Sequence, residues 1–400
     1  MPNSFILKKL PYLIFTLVSA IVLTNLKFLL PFFTQDLYYT SLFFILSIII
    51  LQTKIRHVNP KALILIVATA LSLWVNSPPE YFQSKSRWVA WLLIFLLFGP
   101  VFRSQSFSYF RFNSFQWILK LCEIVGVGSF IWYILGFPNL GRGIFTGLTF
   151  HSMVLGPVAG IACISIVNRI MYSKYKNKKN IFYLFLFLSL FFSSFSLLLS
   201  SSRVAVIATI FSVFICLFIK YKNTKLLFFG GLIALLILSI SNFYGTQTKK
   251  ITDGLSDKGL TSNSRNTLWD ERIYEFKTSP IFGIGFASSL DKSSILIKES
   301  GSLEPGSSWL AILAMTGILG FLSFSLLMLE TVMKVLKNFH KNRSMKYSVY
   351  FGTLIFFSIS FFAEGYVFAA GSPLALIFWM TLGVSMDKSI QKKIKTEGYN

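Results

Sequence analysis

Apolar runs of about twenty residues recur from one end of this chain to the other. That repetition restricts the fold more than any other feature. About 20 such residues are what an α-helix needs to cross the hydrocarbon core. Backbone polar groups cannot stay unpaired there, so runs of this kind read as helices. The runs fall at about residues 10–30, 37–52, 60–76, 88–102, 115–136, 150–168, 181–199, 203–219, 226–243, 307–332, 347–364 and 367–386. The reading is an all-α polytopic membrane protein of about 12 transmembrane helices. Residues 1–400 make a single integral membrane domain. One large extracytoplasmic loop, 244–306, lies within it.

The net charge of +23 would suggest nucleic acid in a soluble protein. Here it follows sidedness. Most basic residues fall in alternate connections: Lys54, Arg56 and Lys61; Arg103 and Arg111; Arg169 to Lys179; Lys220 to Lys225; Lys334 to Lys346; and the C-terminal lysines. This is the positive-inside pattern. It puts both termini in the cytoplasm and the large loop outside, surrounds the chain with membrane lipids, and excludes nucleic acid as partner. Lys8 and Lys9 precede the first apolar run as in a signal peptide, but no small-residue cleavage site follows, so the run reads as the first span. Cys122, Cys163 and Cys216 all lie inside spans, and the three histidines are far apart. No disulfide framework, metal site or cofactor is expected.

Polar residues at the outer ends of the spans are the candidates for chemistry. Arg203 follows Ser200-Ser201-Ser202 between the seventh and eighth runs. It could snorkel to the interface or face a water-filled cavity. In the loop, Leu268, Trp269, Ile273 and Phe276 recur at helical steps, which predicts an amphipathic helix from Ser264 to Ser279-Pro280. Asp270, Glu271, Arg272, Glu275 and Lys277 would share its solvated arc. Arg265 falls in the first turn, where free N–H groups favour an anion. Arg272 lies two turns further, about 10 Å along the axis, and the pair would suit a diphosphate. Alternatively both arginines pair with the helix's own acids. Arg142 opens a glycine-rich turn that ends at His151, just before the sixth run. His151 could accept a proton from a sugar hydroxyl or act as an interfacial hydrogen-bond donor. Glu304, before the tenth run, is a candidate base or a solvated carboxylate. Glu123 and Glu364 fall inside spans, where a charge is costly, and Lys120 is the expected partner of Glu123.

Taken in order, these pieces resemble the O-antigen ligase and O-antigen polymerase superfamily of bacterial envelope glycosyltransferases. The matching residues are Arg142 to His151, Ser202-Arg203, Ser264-Arg265 with Trp269, Pro280-x-x-Gly283-x-Gly285, and Gly317-Ile318-Leu319-Gly320. The resemblance implies a multi-pass enzyme of the bacterial inner membrane that works without a metal ion. Its substrate would be an undecaprenyl diphosphate-linked oligosaccharide, and a chain-length regulator is a candidate partner. It implies that Arg203 and Arg265 bind the diphosphate and offset the leaving group's charge, with Arg272 and Arg142 as further binders and His151 or Glu304 as base. Ligases of the superfamily carry a histidine at the end of the large loop. Here that place reads Gly306-Ser307-Ser308-Trp309. This departure favours a polymerase of surface polysaccharide (O-antigen, capsule or exopolysaccharide) over a ligase acting on a lipid or protein acceptor. A transporter of lipid-linked sugars is the rival from another class. It would show broken helices and mid-membrane charges, which the sequence does not suggest.

Overall fold

A computed structural model describes residues 3–24, 34–53, 57–137, 145–173, 180–221, 260–290 and 306–387. The expected ninth span, 226–243, and the candidates Arg142 and Glu304 lie outside these residues. The described part is helical, with one isolated bridge between Val58 and Phe102. The helices are α1 (Asn3–Leu23), α2 (Gln35–Leu51), α3 (Pro60–Asn76), α4 (Ser84–Phe98), α5 (Gln105–Ile134) and α6 (Ser152–Tyr172). They continue with α7 (Asn180–Leu199), α8 (Arg203–Tyr221), α9 (Leu260–Thr278), α10 (Ser308–Asn342), α11 (Met345–Ser360) and α12 (Pro373–Met386). A short 3-10 turn, Glu80–Phe82, joins α3 to α4. Five of the helices, α5, α6, α7, α8 and α10, are long and apolar enough to cross a membrane. The Lys9–Leu23 part of α1, with α2, α3 and α12, forms apolar helix of shorter length.

Local sequence sets the helix starts. Thr34, Asn59, Ser104, Ser307 and Ser372 each accept a backbone N–H of the first turn through a side-chain oxygen, which satisfies a donor that has no intrahelical partner. Pro60 and Pro373 follow two of these caps, where the missing N–H costs nothing. Helix α7 turns Ile181, Leu184, Phe185, Phe187, Leu188 and Phe191 outward, the lipid-facing side of a membrane helix. Helix α12 is buried on every side.

Helix α6 is the hub, packed against α5, α7, α8 and α11. Small residues four apart allow this close approach. A Cβ on Gly156 would meet Ser202 and Ser200, and one on Gly160 would meet Thr209 of α8 and Phe356 of α11. Two buried or half-buried ion pairs brace the bundle. Glu123 pairs with Arg169 of α6, not with Lys120 as expected, and accepts 2.7 Å from the Ser165 hydroxyl. The partner is across the helix interface rather than one turn away. Arg111, expected in a connection, lies inside α5. It is fully buried, 3.2 Å from Asp387 just past α12, and it donates to the carbonyls of Leu97 and Phe102. It ties the α4–α5 turn to the end of α12.

Helix α10 is broken. Gly317 has φ 64° and ψ −168°, a conformation that only glycine adopts without strain. The segment after α9 fills the gap. Ile284 N–H donates to the Ala314 carbonyl (2.9 Å), and Ile318 N–H donates to the Pro280 carbonyl (2.9 Å). The Met315 carbonyl is taken by the Ser72 hydroxyl of α3. Each backbone group named has a partner from outside the helix, which is the condition for irregular backbone at membrane depth. The fit is backbone against backbone. A Cβ on Gly283 would sit 2.5 Å from Thr316 N, and one on Gly317 would overlap the Ile281 carbonyl.

Gly317→Ala is expected to destabilise the detergent-solubilised protein by ~2 kcal/mol or more, because strain and overlap add. Gly136 also has positive φ, but a Cβ added there would meet nothing within 4 Å. Gly136→Ala should therefore cost only the left-handed strain, about 1–2 kcal/mol. Thermal melting of the two variants side by side checks the difference.

Candidate functional site

The common level of Gly160, Thr209 and Phe356 orients the helices that carry the candidates. Counting from it at about 1.5 Å per residue, Arg203 lies about 9 Å along α8, Ser360 about 6 Å along α11 and Ser152 about 12 Å along α6. Helices α8 and α11 are antiparallel, because Cys216 further along α8 contacts the Ser348 carbonyl earlier in α11. All three ends therefore point the same way. At that end the Ser200–Ser202 turn packs on Gly156 of α6, five residues from His151. The turn is sharp: Ser201 has φ 55°, and the Ser200 hydroxyl accepts from Ser202 N–H at 3.4 Å.

Arg203 is the first residue of α8 and its side chain is exposed. No ion pair joins it to any of the described residues. Beside it lie first-turn N–H groups that a helix leaves without intrahelical partners. A charged, uncommitted guanidinium next to them makes an anion-receptive end.

His151 is the N-cap of α6. Its Nδ1 accepts the Met153 N–H at 3.1 Å. An accepting Nδ1 puts the proton of the neutral ring on Nε2. In that tautomer the outward nitrogen is a donor. This favours the hydrogen-bond donor over the proton acceptor that the sequence also left open.

The same end gathers α9, α10 and the α11–α12 connection. Ser308 N–H and its hydroxyl both donate to the Glu364 carbonyl, at 3.0 and 2.6 Å, and the Ser307 hydroxyl donates to the Phe361 carbonyl. Trp269 Nε1 donates to the Gly306 carbonyl at 3.4 Å. Glu364, expected within a span, instead lies past the end of α11 in a half-exposed turn. The helix stops at Ser360, four residues earlier than hydropathy suggested, because Phe361, Phe362 and Ala363 are apolar without being helical.

Helix α9 differs from the sequence expectation in two ways. It begins at Leu260, directly after Gly259, since no glycine or proline interrupts 260–278. Arg265 is therefore in the second turn rather than beside free N–H groups. The expected polar arc is also partly buried. Arg272 and Glu275 are only 2% and 1% exposed. Arg272 lies 2.7 Å from Glu275 and donates to the Ser288 carbonyl and the Ser289 hydroxyl. Glu275 also accepts from the Ser289 hydroxyl (2.7 Å) and Leu290 N–H (2.8 Å). Asp270 and Lys277 stay exposed, and so does the apolar Ile273. Arg272 is thus committed within the protein, and it clamps α9 to 288–290 rather than presenting a second guanidinium beside Arg265.

Residues 188–325 match the family model described as O-antigen ligase. The chain resembles the O-antigen ligase and polymerase superfamily over that stretch. The stretch runs from α7 through the break in α10 and includes Arg203, Arg265, the 280–285 segment and Gly317. His151 and Glu364 lie outside it. No curated protein matches the chain. The match supports a membrane enzyme that handles lipid-linked oligosaccharide, of the kind found in the bacterial inner membrane.

Two expected outcomes follow from this geometry. Arg272→Met should destabilise the protein by ~3–5 kcal/mol, because it strands a buried Glu275, and adding Glu275→Leu should restore most of the loss. Denaturant or thermal unfolding of the single and double variants reads this directly. His151→Ala should cost about 1 kcal/mol as a lost cap, and His151→Asn should recover it. If transfer activity is also kept in His151→Asn, the residue is not the base.

Proposed function

We propose that the protein is a polysaccharide polymerase acting at the extracytoplasmic face of the bacterial inner membrane, with both termini in the cytoplasm. It joins lipid-linked repeat units and releases undecaprenyl diphosphate. The observation that carries this is Arg203: an exposed guanidinium with no ion pair among the described residues, at a helix N-terminus, inside the family-matched stretch. The acceptor hydroxyl forms a new C–O bond to the anomeric carbon. The bond from that carbon to the diphosphate oxygen breaks, and the hydroxyl proton passes to a base. Negative charge grows on the departing diphosphate. Preorganised cations aimed there lower the barrier. Arg203 fills that role, joined by Arg265 on α9 and by Arg142, nine residues before His151 in the chain.

The base is a carboxylate, Glu364 or Glu304. Glu364 stands in the half-exposed turn tied to the start of α10, and Glu304 lies two residues before Gly306 in the chain. Where ligases carry their histidine, Ser307 and Ser308 are taken up by capping and by the carbonyls of Phe361 and Glu364. That supports the polymerase reading. The description of the matched family favours the second reading, transfer of a finished glycan to a lipid or protein acceptor. The broken α10 is a feature a transporter would share, but the backbone groups named at the break are paired within the protein.

The test gives purified protein the native lipid-linked repeat and resolves the products on a gel. A ladder of regularly spaced products is expected. Arg203→Ala and Arg265→Ala should each lower its formation by about 100-fold or more, in line with loss of a group that stabilises transition-state charge. Full activity in both variants would refute the reading. A single transferred glycan on an added acceptor would move the protein to the ligase alternative.

A further inference from the structure

The α3–α4 connection and the segment after α9 enclose a cleft of about 320 Å³, lined in part by Asn76, Tyr81, Thr278, Ser279 and Ser288. This is the lower end of the size range of small-molecule sites. None of the described residues lining it is charged. Its polar side chains are neutral hydroxyls and one amide. The Thr278 hydroxyl donates to the Glu275 carbonyl, and the Ser288 hydroxyl donates to the Gly285 carbonyl, both at 2.7 Å. The Asn76 amide nitrogen donates to the Ser72 carbonyl at 2.8 Å. The Thr278 and Ser288 oxygens keep their lone pairs, while Asn76 keeps its second amide N–H. Tyr81, 38% exposed, adds an aromatic wall.

An uncharged wall of hydroxyls and an amide suits a neutral ligand that both donates and accepts. Sugar hydroxyls do both. A phosphate finds no cation among the described lining residues to offset its charge. The walls are fixed before any ligand arrives: Gly285, at φ 114°, lies against Pro78 so closely that a Cβ would come within 2.5 Å of Pro78 Cγ. The Ser84 hydroxyl holds the Ala287 carbonyl at 3.3 Å, and the Arg272–Glu275 clamp holds 288–290. Such preorganisation reduces the ordering cost of binding. Thr278 is thirteen residues from Arg265 along α9, about 20 Å.

Building on the proposed function, we propose that this cleft is a glycan subsite. It takes one or two sugar residues of a repeat at a distance from the diphosphate-bearing end. It would thereby select the repeat by sugar identity, while the arginines bind the diphosphate common to every carrier.

The test uses the full-length protein in detergent and the native repeat oligosaccharide, released from its lipid by mild acid and freed of phosphate. Binding is followed by saturation-transfer NMR and titration. Wild type should bind. Ser279→Trp, which fills the cleft, and Tyr81→Ala, which removes its exposed wall, should each raise Kd at least tenfold with unchanged melting temperature. Tyr81→Ala keeps the test valid should the tryptophan variant misfold. Excess inorganic diphosphate should leave sugar binding unchanged. No binding by wild type, wild-type affinity in Tyr81→Ala, or displacement by diphosphate would each overturn the subsite. The transfer reaction is judged separately by Arg203→Ala. Transfer that survives in that variant, alongside sugar binding lost in Tyr81→Ala, would sink the polymerase reading and keep the subsite.

Discussion

A helix in hydrocarbon must close its own backbone hydrogen bonds or borrow partners from protein. In α10 the ladder opens at Gly317, and Pro280, Ile284 and Ser72 supply the missing partners. Much of the candidate site depends on that repair. Because 280–284 is fixed to α10, α9 before it and 285–290 after it are fixed as well. A segment that hydropathy marks as an outer loop is built into the bundle by main-chain bonds, and α9 is held by the Arg272–Glu275 clamp as well as by the break. Small deviations have little room, since the closest approach is between two backbones with no side chain to give way.

The arginines divide by what they meet. Arg111, Arg169 and Arg272 each have a carboxylate partner: Asp387, Glu123 and Glu275. An unpaired charge in a low-dielectric interior is costly, and pairing offsets the cost. Arg203 stands at an exposed helix end with none of the described acids in reach. A cation without an ion pair among the described residues, inside the family-matched stretch, is one that a ligand can neutralise.

Much of the helical plan is legible in the sequence, because membrane-length hydrophobicity is a strong local signal. The starts of α3, α8 and α10 fall within one residue of the expected spans, where Asn59-Pro60, Ser202 and Ser307 mark them. What hydropathy cannot register is tertiary compensation. Arg272 and Glu275 read as solvated because each is charged, yet together with Ser289 and Leu290 they form a neutral buried unit. Glu364 reads as intramembrane because its neighbours are apolar. The Gly317-x-x-Gly320 and Pro280-x-x-Gly283 patterns are visible as motifs, but nothing local says that one plugs the other. His151 is a further case: its position before an apolar run is what an N-cap requires, and the cap bond occupies its Nδ1.

The order of the partners along the chain has a consequence for assembly. Ser72, Pro280 and Ile284 all precede Gly317. During synthesis from the N-terminus, α3 and the 280–284 segment are made before the discontinuity in α10 leaves the ribosome. The Ala314 and Met315 carbonyls therefore meet ready-made donors, and the Ile318 N–H a ready-made acceptor, as they reach the membrane. A circularly permuted chain, with α10 made first, would have to carry an unsealed break through insertion until its partners followed.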